Sequence, residues 1–150
     1  MQILSKSFDD LSKKELYEIL VLRQEVFVVE QDCPYLDADG KDYSCAHVIG
    51  LSEDEAVIAY TRIVPPGVSY ETYASIGRVV VKSTARGNSW GQELMRESIK
   101  LTFQMHPSYN IKISAQVYLK KFYEDLGFVA TGETYLEDNI PHMAMVMAKE

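Results

Sequence analysis

Apolar and polar residues follow helical or strand periods along most of the chain, beginning at the N-terminus. Residues 2–8 alternate in polarity, which predicts a first strand. Ser12 stands three residues before Glu15, the spacing of a capping box, and an amphipathic pattern follows it. The predicted first helix has one charge in its apolar stripe, which consists of Leu16, Ile19, Leu20, Arg23 and Phe27.

The middle of the chain predicts three strands and then a long helix. Residues 45–51 and 55–64 have the composition of an antiparallel pair, and residues 74–82 are strongly β-prone. From Leu94 onward, two neighbouring rows of apolar residues form a broad helix face, and this helix is expected to end before Pro107.

The last part of the chain predicts a strand at residues 110–115 and a short helix at 117–126 that Gly127 ends. Two closing strands are predicted at 128–136 and 142–147. The order β, α, three strands, α, β, α, two strands indicates a mixed α/β fold with mostly antiparallel strands and two crossover helices. A length of 150 residues, 47% of them apolar, predicts one domain spanning the chain.

Charge and composition exclude several classes of partner. The net charge is −7 and the isoelectric point is near 5.0, so we expect no nucleic-acid partner. The excess of acidic residues serves either solubility or a cationic substrate such as an amine. Because residues 1–10 lack the apolar core of a signal peptide and no apolar run spans a bilayer, we expect no membrane association and a cytoplasmic location.

We expect no metal site. Cys33, Cys45 and three scattered histidines do not have the spacing of zinc ligands, and a reducing compartment keeps both thiols free. The run DADGKD at residues 37–42 resembles a calcium loop, but its glycine comes too early and the twelfth position lacks a glutamate. We interpret this run as a turn.

The segment STARGNSWGQELMRES, residues 83–98, leads from a predicted strand into a predicted helix through small residues. Backbone N–H groups at a helix N-terminus can bind an anion. Gly87 and Gly91 leave room for an anion on the backbone, Ser89 adds a hydroxyl, and Arg86 adds a charged donor. An ordinary turn with exposed polar residues is the alternative. The segment matches neither the dinucleotide-binding glycine motif nor the P-loop.

Three motifs together resemble the GNAT (Gcn5-related) N-acyltransferases over almost the whole chain. RGNSWG at 86–91 is similar to the family signature Q/R-x-x-G-x-G/A, with Ser89 in place of the first glycine. FYEDLGF at 122–128 resembles the second family motif. The stretches at 22–42 and 135–145 are similar to the ElaA-like branch. The resemblance implies a twisted, mostly antiparallel sheet that splays apart between its fourth and fifth strands and has flanking helices.

The resemblance also implies acetyl-CoA, or coenzyme A, as co-substrate. Its pantetheine arm is expected to pair with the fourth strand, and its pyrophosphate to lie on the 86–92 corner. Gln116 stands where many members have an asparagine facing the cofactor. The implied coenzyme A contacts are Val79, Val80, Val81, Arg86, Gly87, Asn88, Ser89, Trp90, Gly91, Gln92, Gln116 and Tyr123.

The implied reaction is transfer of an acetyl group to a primary amine by direct attack in a ternary complex. Tyr123 is the family-matched acid that protonates the departing thiolate. A backbone N–H near Val79 would stabilise the oxyanion if a β-bulge turned it into the gap. Ser75 stands where some members have a glutamate base. The base therefore stays open among Glu30, His47, Glu137, Asp138 and His142.

Four residues are candidates for binding the acceptor, a small-molecule or peptide amine: Arg23, Glu30, His47 and His142. Arg23 and Glu30 are seven residues apart, on one face if the first helix extends that far. Each needs a partner if buried, so a structural ion pair is the alternative for them. Structural hydrogen bonding is the alternative for either histidine.

Two other functions stay open. One is a coenzyme A-binding sensor or interaction module of the same fold with little catalysis. The other is an acyltransferase that uses a different acyl chain or makes homoserine lactones. Family members often dimerise, so a homodimer also stays open.

Overall fold

A seven-stranded sheet forms the centre of the computed structural model, which describes residues 1–149. Its strands are β1 (Gln2–Ser7), β2 (Ala46–Leu51), β3 (Val57–Val64), β4 (Tyr73–Val81), β5 (Asn110–Gln116), β6 (Val129–Glu137) and β7 (Ile140–Met147). The helices are α1 (Lys13–Arg23), α2 (Trp90–Met105) and α3 (Lys120–Asp125). The sheet order is β1-β2-β3-β4-β5-β7-β6, with β4 and β5 parallel and every other neighbouring pair antiparallel. The predicted α/β class and element order are confirmed.

Helix α1 begins with the predicted capping box. Ser12 Oγ accepts a hydrogen bond from the N–H of Glu15 at 3.0 Å, and Glu15 Oε1 accepts one from the N–H of Ser12 at 2.8 Å. The helix continues as a π-helix, Gln24–Glu30, which the sequence pattern did not predict. The buried face of α1 and the π-helix also differs from the predicted apolar stripe, and it consists of Ile19, Leu22, Arg23 and Val26.

The helices cover both faces of the sheet. The stripe of α1 packs on Ile49, Tyr60 and Val80. Leu94 of α2 packs among the residues that point the other way, such as Val48 and Ala59, because successive strand residues face opposite sides. Helix α3 shares this second face. None of the helices within residues 1–149 combines the length and the apolar character needed to cross a membrane.

The sheet opens between β4 and β5, as the resemblance implied. These strands pair only at Tyr73 with Asn110 and at Ala74 with Ile111. Beyond these two pairs β4 continues to Val81 and β5 to Gln116 without pairing, so the strands diverge. The facing edges of both strands therefore border a V-shaped gap.

A β-bulge lies in β4 next to this gap. Tyr60 pairs with Val80 and Arg62 with Gly77, so two residues of β4, Arg78 and Val79, oppose one residue of β3. Arg78 has a left-handed backbone with φ of 51°, which is uncommon for a residue with a side chain. The extra residue changes the direction of the backbone groups at this point of the strand.

Three arginines and three aspartates form an ion-pair network under the loop that joins α1 to β2. Arg23, which is 1% exposed, contacts Asp37 and Asp42 at 2.8 Å each. Arg62 contacts Asp39 at 2.6 Å and Asp42 at 3.0 Å. The third member is Arg78, whose Nε lies 2.8 Å from Asp37 Oδ1.

The network stabilises the charged form of two of its carboxylates, Asp39 and Asp42. Burial alone would raise the pKa of Asp39, but hydrogen bonds from Arg62 hold it well below its usual range. Burial is likewise outweighed at Asp42, where Arg23 and Arg62 lower the pKa. The DADGKD run is an irregular loop that bends at Gly40, with φ of 82°, and enters a short 3₁₀ helix at Lys41–Ser44, and its carboxylates bind arginines.

We expect Arg23→Gln to destabilise the protein by about 3–5 kcal/mol, because it removes one of the two arginines that pair with the buried carboxylate of Asp37 and one of the two that pair with Asp42. Urea denaturation followed by circular dichroism measures the change. Lys14→Gln is the matched control, since it removes an exposed pair with Glu18 and should cost less than about 1 kcal/mol. An equal, small loss for both variants would contradict a structural role for the network.

Candidate functional site

A cavity of about 620 Å³ fills the gap between β4 and β5, within the size range of small-molecule sites. Its walls come from both strands, the end of the π-helix, the start of α2, helix α3 and the turn between β6 and β7. The predicted coenzyme A contacts that line it are Val79, Val80, Val81, Arg86, Gly87, Ser89, Trp90, Gly91, Gln92, Gln116 and Tyr123. These predicted residues, which lie far apart in the sequence, thus line the same cavity.

Left-handed residues shape the corner between β4 and α2. Gly87 has φ of 91° and Ser89 has φ of 59°, and α2 begins at Trp90. Ser89 occupies the N-cap position without a side-chain hydrogen bond to the helix. A glycine would take this backbone conformation more readily, which is the physical reason for a glycine at this place of the signature. The first N–H groups of α2 consequently remain free to bind a ligand.

Gly91 lies where α2 approaches β4. A Cβ at this position would lie 3.5 Å from Val81 and 3.8 Å from Phe122, both of which line the cavity. These are ordinary contact distances, so packing within the protein does not itself require glycine. The absence of a side chain widens the cavity next to the N-terminus of α2.

Arg86 stands at the mouth of the cavity and binds Glu30. Its two terminal nitrogens donate to the Glu30 carboxylate at 3.1 and 2.7 Å, and its Nε donates to the carbonyl oxygen of Val81 at 3.1 Å. Both side chains are about two-fifths exposed, at 44% and 41%, so water screens the pair. A stronger anion at the mouth can replace the Glu30 carboxylate on this guanidinium.

Asn88 is the one predicted coenzyme A contact that lies outside the cavity lining. Its side-chain nitrogen donates to the carbonyl oxygen of Ala85 at 3.2 Å. The residue borders a separate shallow groove together with Glu93 and Arg96. A side-chain contact with a ligand in the cavity is therefore not supported for Asn88.

Tyr123 reaches the cavity from α3 and is 6% exposed. Its ring packs edge-on against Phe122 and Phe128, with centroids 5.0 and 6.0 Å away. Burial raises the pKa of the Tyr123 hydroxyl well above its usual value, because the ionised form would be poorly solvated. The hydroxyl thus stays protonated at neutral pH and can donate a hydrogen bond.

His142 lies on β7 at another wall of the cavity and is 7% exposed. Its Nδ1 is 2.6 Å from the carbonyl oxygen of Ile140, and its Nε2 is 3.5 Å from Glu137 Oε2. The neighbouring strand brings Gln116 directly opposite His142. The side chains of Gln116 and Gln31 also exchange two hydrogen bonds of 3.4 Å each. Of the candidate bases, Glu30, Glu137, Asp138 and His142 line the cavity.

Arg23 and His47 lie outside the cavity lining. Arg23 belongs to the ion-pair network described above. His47 is fully buried on β2, with Nδ1 2.6 Å from the Tyr60 hydroxyl and Nε2 2.9 Å from the carbonyl oxygen of Asp42. Strand β3 separates β2 from the gap, so His47 is not supported as an acceptor contact or as the base. Arg23 is not supported as an acceptor contact, because its guanidinium is already paired with Asp37 and Asp42. Burial also lowers the pKa of His47 and favours its neutral form.

Sequence reasoning missed two cavity residues next to the bulge, Arg78 and Tyr35. The Tyr35 hydroxyl donates to Asp37 at 2.9 Å, and the Arg78 guanidinium lies over the Tyr35 ring at 5.7 Å. A signal for the bulge was present, since Gly77 interrupts an otherwise β-prone run just before a charge. The carboxylate that pairs with Arg78 is 41 residues away, beyond any local pattern.

The arrangement offers hydrogen-bond donors at one end of the cavity and an imidazole with a carboxylate at another. Within residues 1–149, no three histidine, cysteine or acidic side chains come together in a way that could hold a metal ion. The side chains that line the cavity can bind an anion and can donate or accept a proton.

Comparison with known proteins identifies relatives over nearly the whole chain. Residues 38–149 match the family model described as an acetyltransferase (GNAT) domain. Protein ElaA from Escherichia coli is 41% identical over 138 residues, which cover 91% of this chain and 89% of ElaA.

Solved structures show the same similarity in three dimensions. An acyl-CoA N-acyltransferase from Pseudomonas aeruginosa superposes with a TM-score of 0.90 and 41% identity, covering 99% of this chain and all of the other. The crystal structure of Escherichia coli ElaA gives a TM-score of 0.90 and 36% identity with the same coverage. An aminoglycoside 6'-N-acetyltransferase complexed with coenzyme A has a TM-score of 0.70 at 15% identity over 95% of both chains, which is a likeness of fold.

Proposed function

Since this chain belongs to the GNAT acetyltransferase family, we propose that it transfers an acetyl group from acetyl-CoA to a primary amine by direct attack in a ternary complex. Family membership makes it an acyltransferase that uses an acyl-CoA. The acetyl group, the amine acceptor and the direct transfer in a ternary complex are the proposal. We further propose that residues 1–150 act as one N-acetyltransferase domain, with a small molecule or a peptide as the acceptor.

The observation that carries the proposal is the gap where β4 and β5 stop pairing. Beyond Ala74, the edge of β4 that faces β5 makes no strand pairing, while its other edge stays paired with β3. Unpaired backbone groups near the interior need hydrogen-bond partners. An extended pantetheine arm, with its two amides, would supply partners to Val79, Val80 and Val81.

The corner at the start of α2 suits the pyrophosphate. The free N–H groups of the first turn, the left-handed Gly87 and Ser89, and the guanidinium of Arg86 all border one region of the cavity. A pyrophosphate carries more charge than a carboxylate and would therefore displace Glu30 from Arg86. The related acetyltransferase of known structure that is complexed with coenzyme A supports the same class of ligand here.

Bound acetyl-CoA supplies an acetyl thioester, and the protein supplies groups that stabilise its reaction. The bulge at Arg78 and Val79 is the feature that the oxyanion hypothesis required. It supports the backbone N–H of Val79 as the donor to the developing oxyanion. Such a donor is effective because it is already oriented in a site from which water is excluded.

Tyr123 is proposed as the hydrogen-bond donor to the departing sulfur. Its raised pKa keeps it protonated, but an ordinary thiol has a pKa of about 8.5, so complete proton transfer from the phenol is uphill. Tyr123 therefore stabilises the thiolate mainly by donating a hydrogen bond. This assigns the residue a contribution smaller than that of a fully matched general acid.

An acceptor panel tests the function as a whole. Acetyl-CoA is mixed separately with each of four amines, and the free thiol released is measured. The amines are a peptide with a free N-terminus, an N-blocked peptide that contains lysine, spermidine, and benzylamine. For at least one acceptor we expect thiol to be released well above the rate measured without amine. We also expect calorimetry to detect binding of coenzyme A. Binding without release on any of the four would favour the sensor module, whereas no binding would remove the proposal.

A negative charge introduced at position 89 tests the proposed pyrophosphate site. We expect Ser89→Asp to weaken coenzyme A binding by about tenfold or more, since it adds a negative charge beside the phosphates. Ser89→Asn is the matched neutral control, because asparagine and aspartate both tolerate a left-handed backbone. Ser89→Asn and Ser89→Gly should keep the affinity within about twofold. Equal affinities for the Asp and Asn variants in calorimetry would place the phosphates elsewhere.

Removal of one hydroxyl tests Tyr123. We expect Tyr123→Phe to lower kcat by about ten- to a hundredfold, with little change in the Kd of coenzyme A, because the ring keeps its packing. Steady-state kinetics and calorimetry measure the two quantities. Tyr109→Phe changes an exposed tyrosine outside the cavity lining, so it is the control and should keep wild-type turnover. Equal turnover in both variants would exclude Tyr123 from the chemistry.

A further inference from the structure

We propose that His142, oriented by Ile140 and Glu137, is the general base that takes the proton from the attacking amine. This inference rests on the proposed function, and it selects one residue from the five candidates that the sequence left open. It is carried by three observations: the sheet face on which His142 lies, the partner of each ring nitrogen, and the route from the ring to solvent.

His142 and Tyr123 reach the cavity from opposite faces of the sheet. Ile113 and Ala115 of β5 pack in the same core cluster as Tyr123, so Gln116 points to the other face. His142 is the direct cross-strand partner of Gln116, and directly opposed residues of an antiparallel pair share a face. A thioester in the gap would therefore have a hydrogen-bond donor on one side and an imidazole on the other.

The hydrogen bond at Nδ1 selects the tautomer of His142. The carbonyl oxygen of Ile140 can only accept, so Nδ1 carries the hydrogen at a distance of 2.6 Å. The lone pair of the neutral ring is then on Nε2, the nitrogen required to accept a proton. On protonation, Nε2–H gains an ion pair with Glu137, whose Oε2 is 3.5 Å away. Glu137 therefore favours the imidazolium that catalysis would produce.

The proton has a route out of the site. The side chain of Glu137 is 53% exposed, whereas that of His142 is 9% exposed. A proton taken up at Nε2 can pass to this carboxylate, and from there to solvent. The neutral imidazole is then restored for the next turnover.

The other candidates are less suitable. Glu30 is held by Arg86 at the mouth of the cavity, where the pyrophosphate is proposed to bind. Glu137 and Asp138 are exposed residues where β6 turns into β7, whereas His142 is buried against the cavity. His47 lies outside the cavity lining.

Few charged or titratable groups surround the ring of His142. Tyr135 of β6 stacks on the ring with centroids 6.4 Å apart, and its own pKa is raised by burial, so it stays neutral. From β5 the neutral side chains of Ser114 and Gln116 face the same side. The segment after the π-helix contributes Cys33, whose Sγ lies 3.4 Å from the carbonyl oxygen of Asp138. Glu137 is thus the charged side chain in contact with the His142 ring.

The lone pair of the neutral amine forms the C–N bond to the thioester carbonyl carbon, and one N–H proton passes to Nε2 of His142. The C–S bond then breaks, and its electron pair leaves with sulfur, which Tyr123 stabilises. The thiolate takes up one proton and His142 releases one, so an amine and a thioester yield an amide and a thiol.

His142→Gln and His142→Ala test the assignment with acetyl-CoA and whichever amine of the four-member panel releases thiol fastest. We expect kcat to fall by about a hundredfold or more, with an unchanged Kd for coenzyme A. The fall of kcat on the acidic side of the wild-type pH profile should be lost in His142→Gln. Added imidazole should restore turnover to His142→Ala, which a merely structural role would not produce. His106→Gln, outside the cavity lining, is the control and should behave as wild type.

Glu137→Gln is the second variant, in case substitution of His142 impairs folding, since its side chain is largely exposed. We expect about a tenfold loss of kcat, compared with no loss for Glu133→Gln on the same strand. Wild-type kcat in both His142→Gln and Glu137→Gln would overturn the base assignment and leave the proposed function intact. If the wild-type protein released no thiol with any of the amines, the proposed function would fail, and the base assignment with it.

Discussion

The early end of pairing between β4 and β5 is the constraint on which the rest of the site depends. A sheet that closed along its full length would satisfy these backbone groups and leave no gap for a ligand. Here two residue pairs join the strands, and the divergence exposes the edges of both. The start of α2, the hydroxyl of Tyr123 and the ring of His142 can meet on one cavity because the sheet is open between them.

The ion-pair network maintains the shape of this opening from one side. A left-handed backbone at a residue such as Arg78 costs about 1–3 kcal/mol and needs support from its surroundings. Asp37 contacts both Arg78 in the bulge and Arg23 at the end of α1. One buried carboxylate thereby couples the helix that covers the sheet to the strand segment that is proposed to donate to the oxyanion.

Local patterns predicted the elements well, but not the long-range pairings. The capping box at Ser12 and the corner at residues 86–91 could be recognised because each is a contiguous motif. The charge of Arg23 in an apolar stripe indicated that it needed a partner, yet Asp37 and Asp42 lie 14 and 19 residues away along a loop. His47 and His142 both occupy strand-like segments, and only the strand order distinguishes them, since β3 separates β2 from the gap while β7 adjoins β5.

The two faces of the sheet differ in how they can handle a proton, and acetylation of a neutral amine must move one. On the face that carries α3, Tyr123 is enclosed by Phe122, Phe128 and core residues, a surrounding that suits a hydrogen-bond donor which keeps its proton. On the other face, His142 is linked through Glu137 to solvent, which suits a group that takes up and releases a proton at every turnover. If the thioester binds between these faces as proposed, neither group needs to change its role during the reaction, and direct transfer requires no covalent intermediate on the protein.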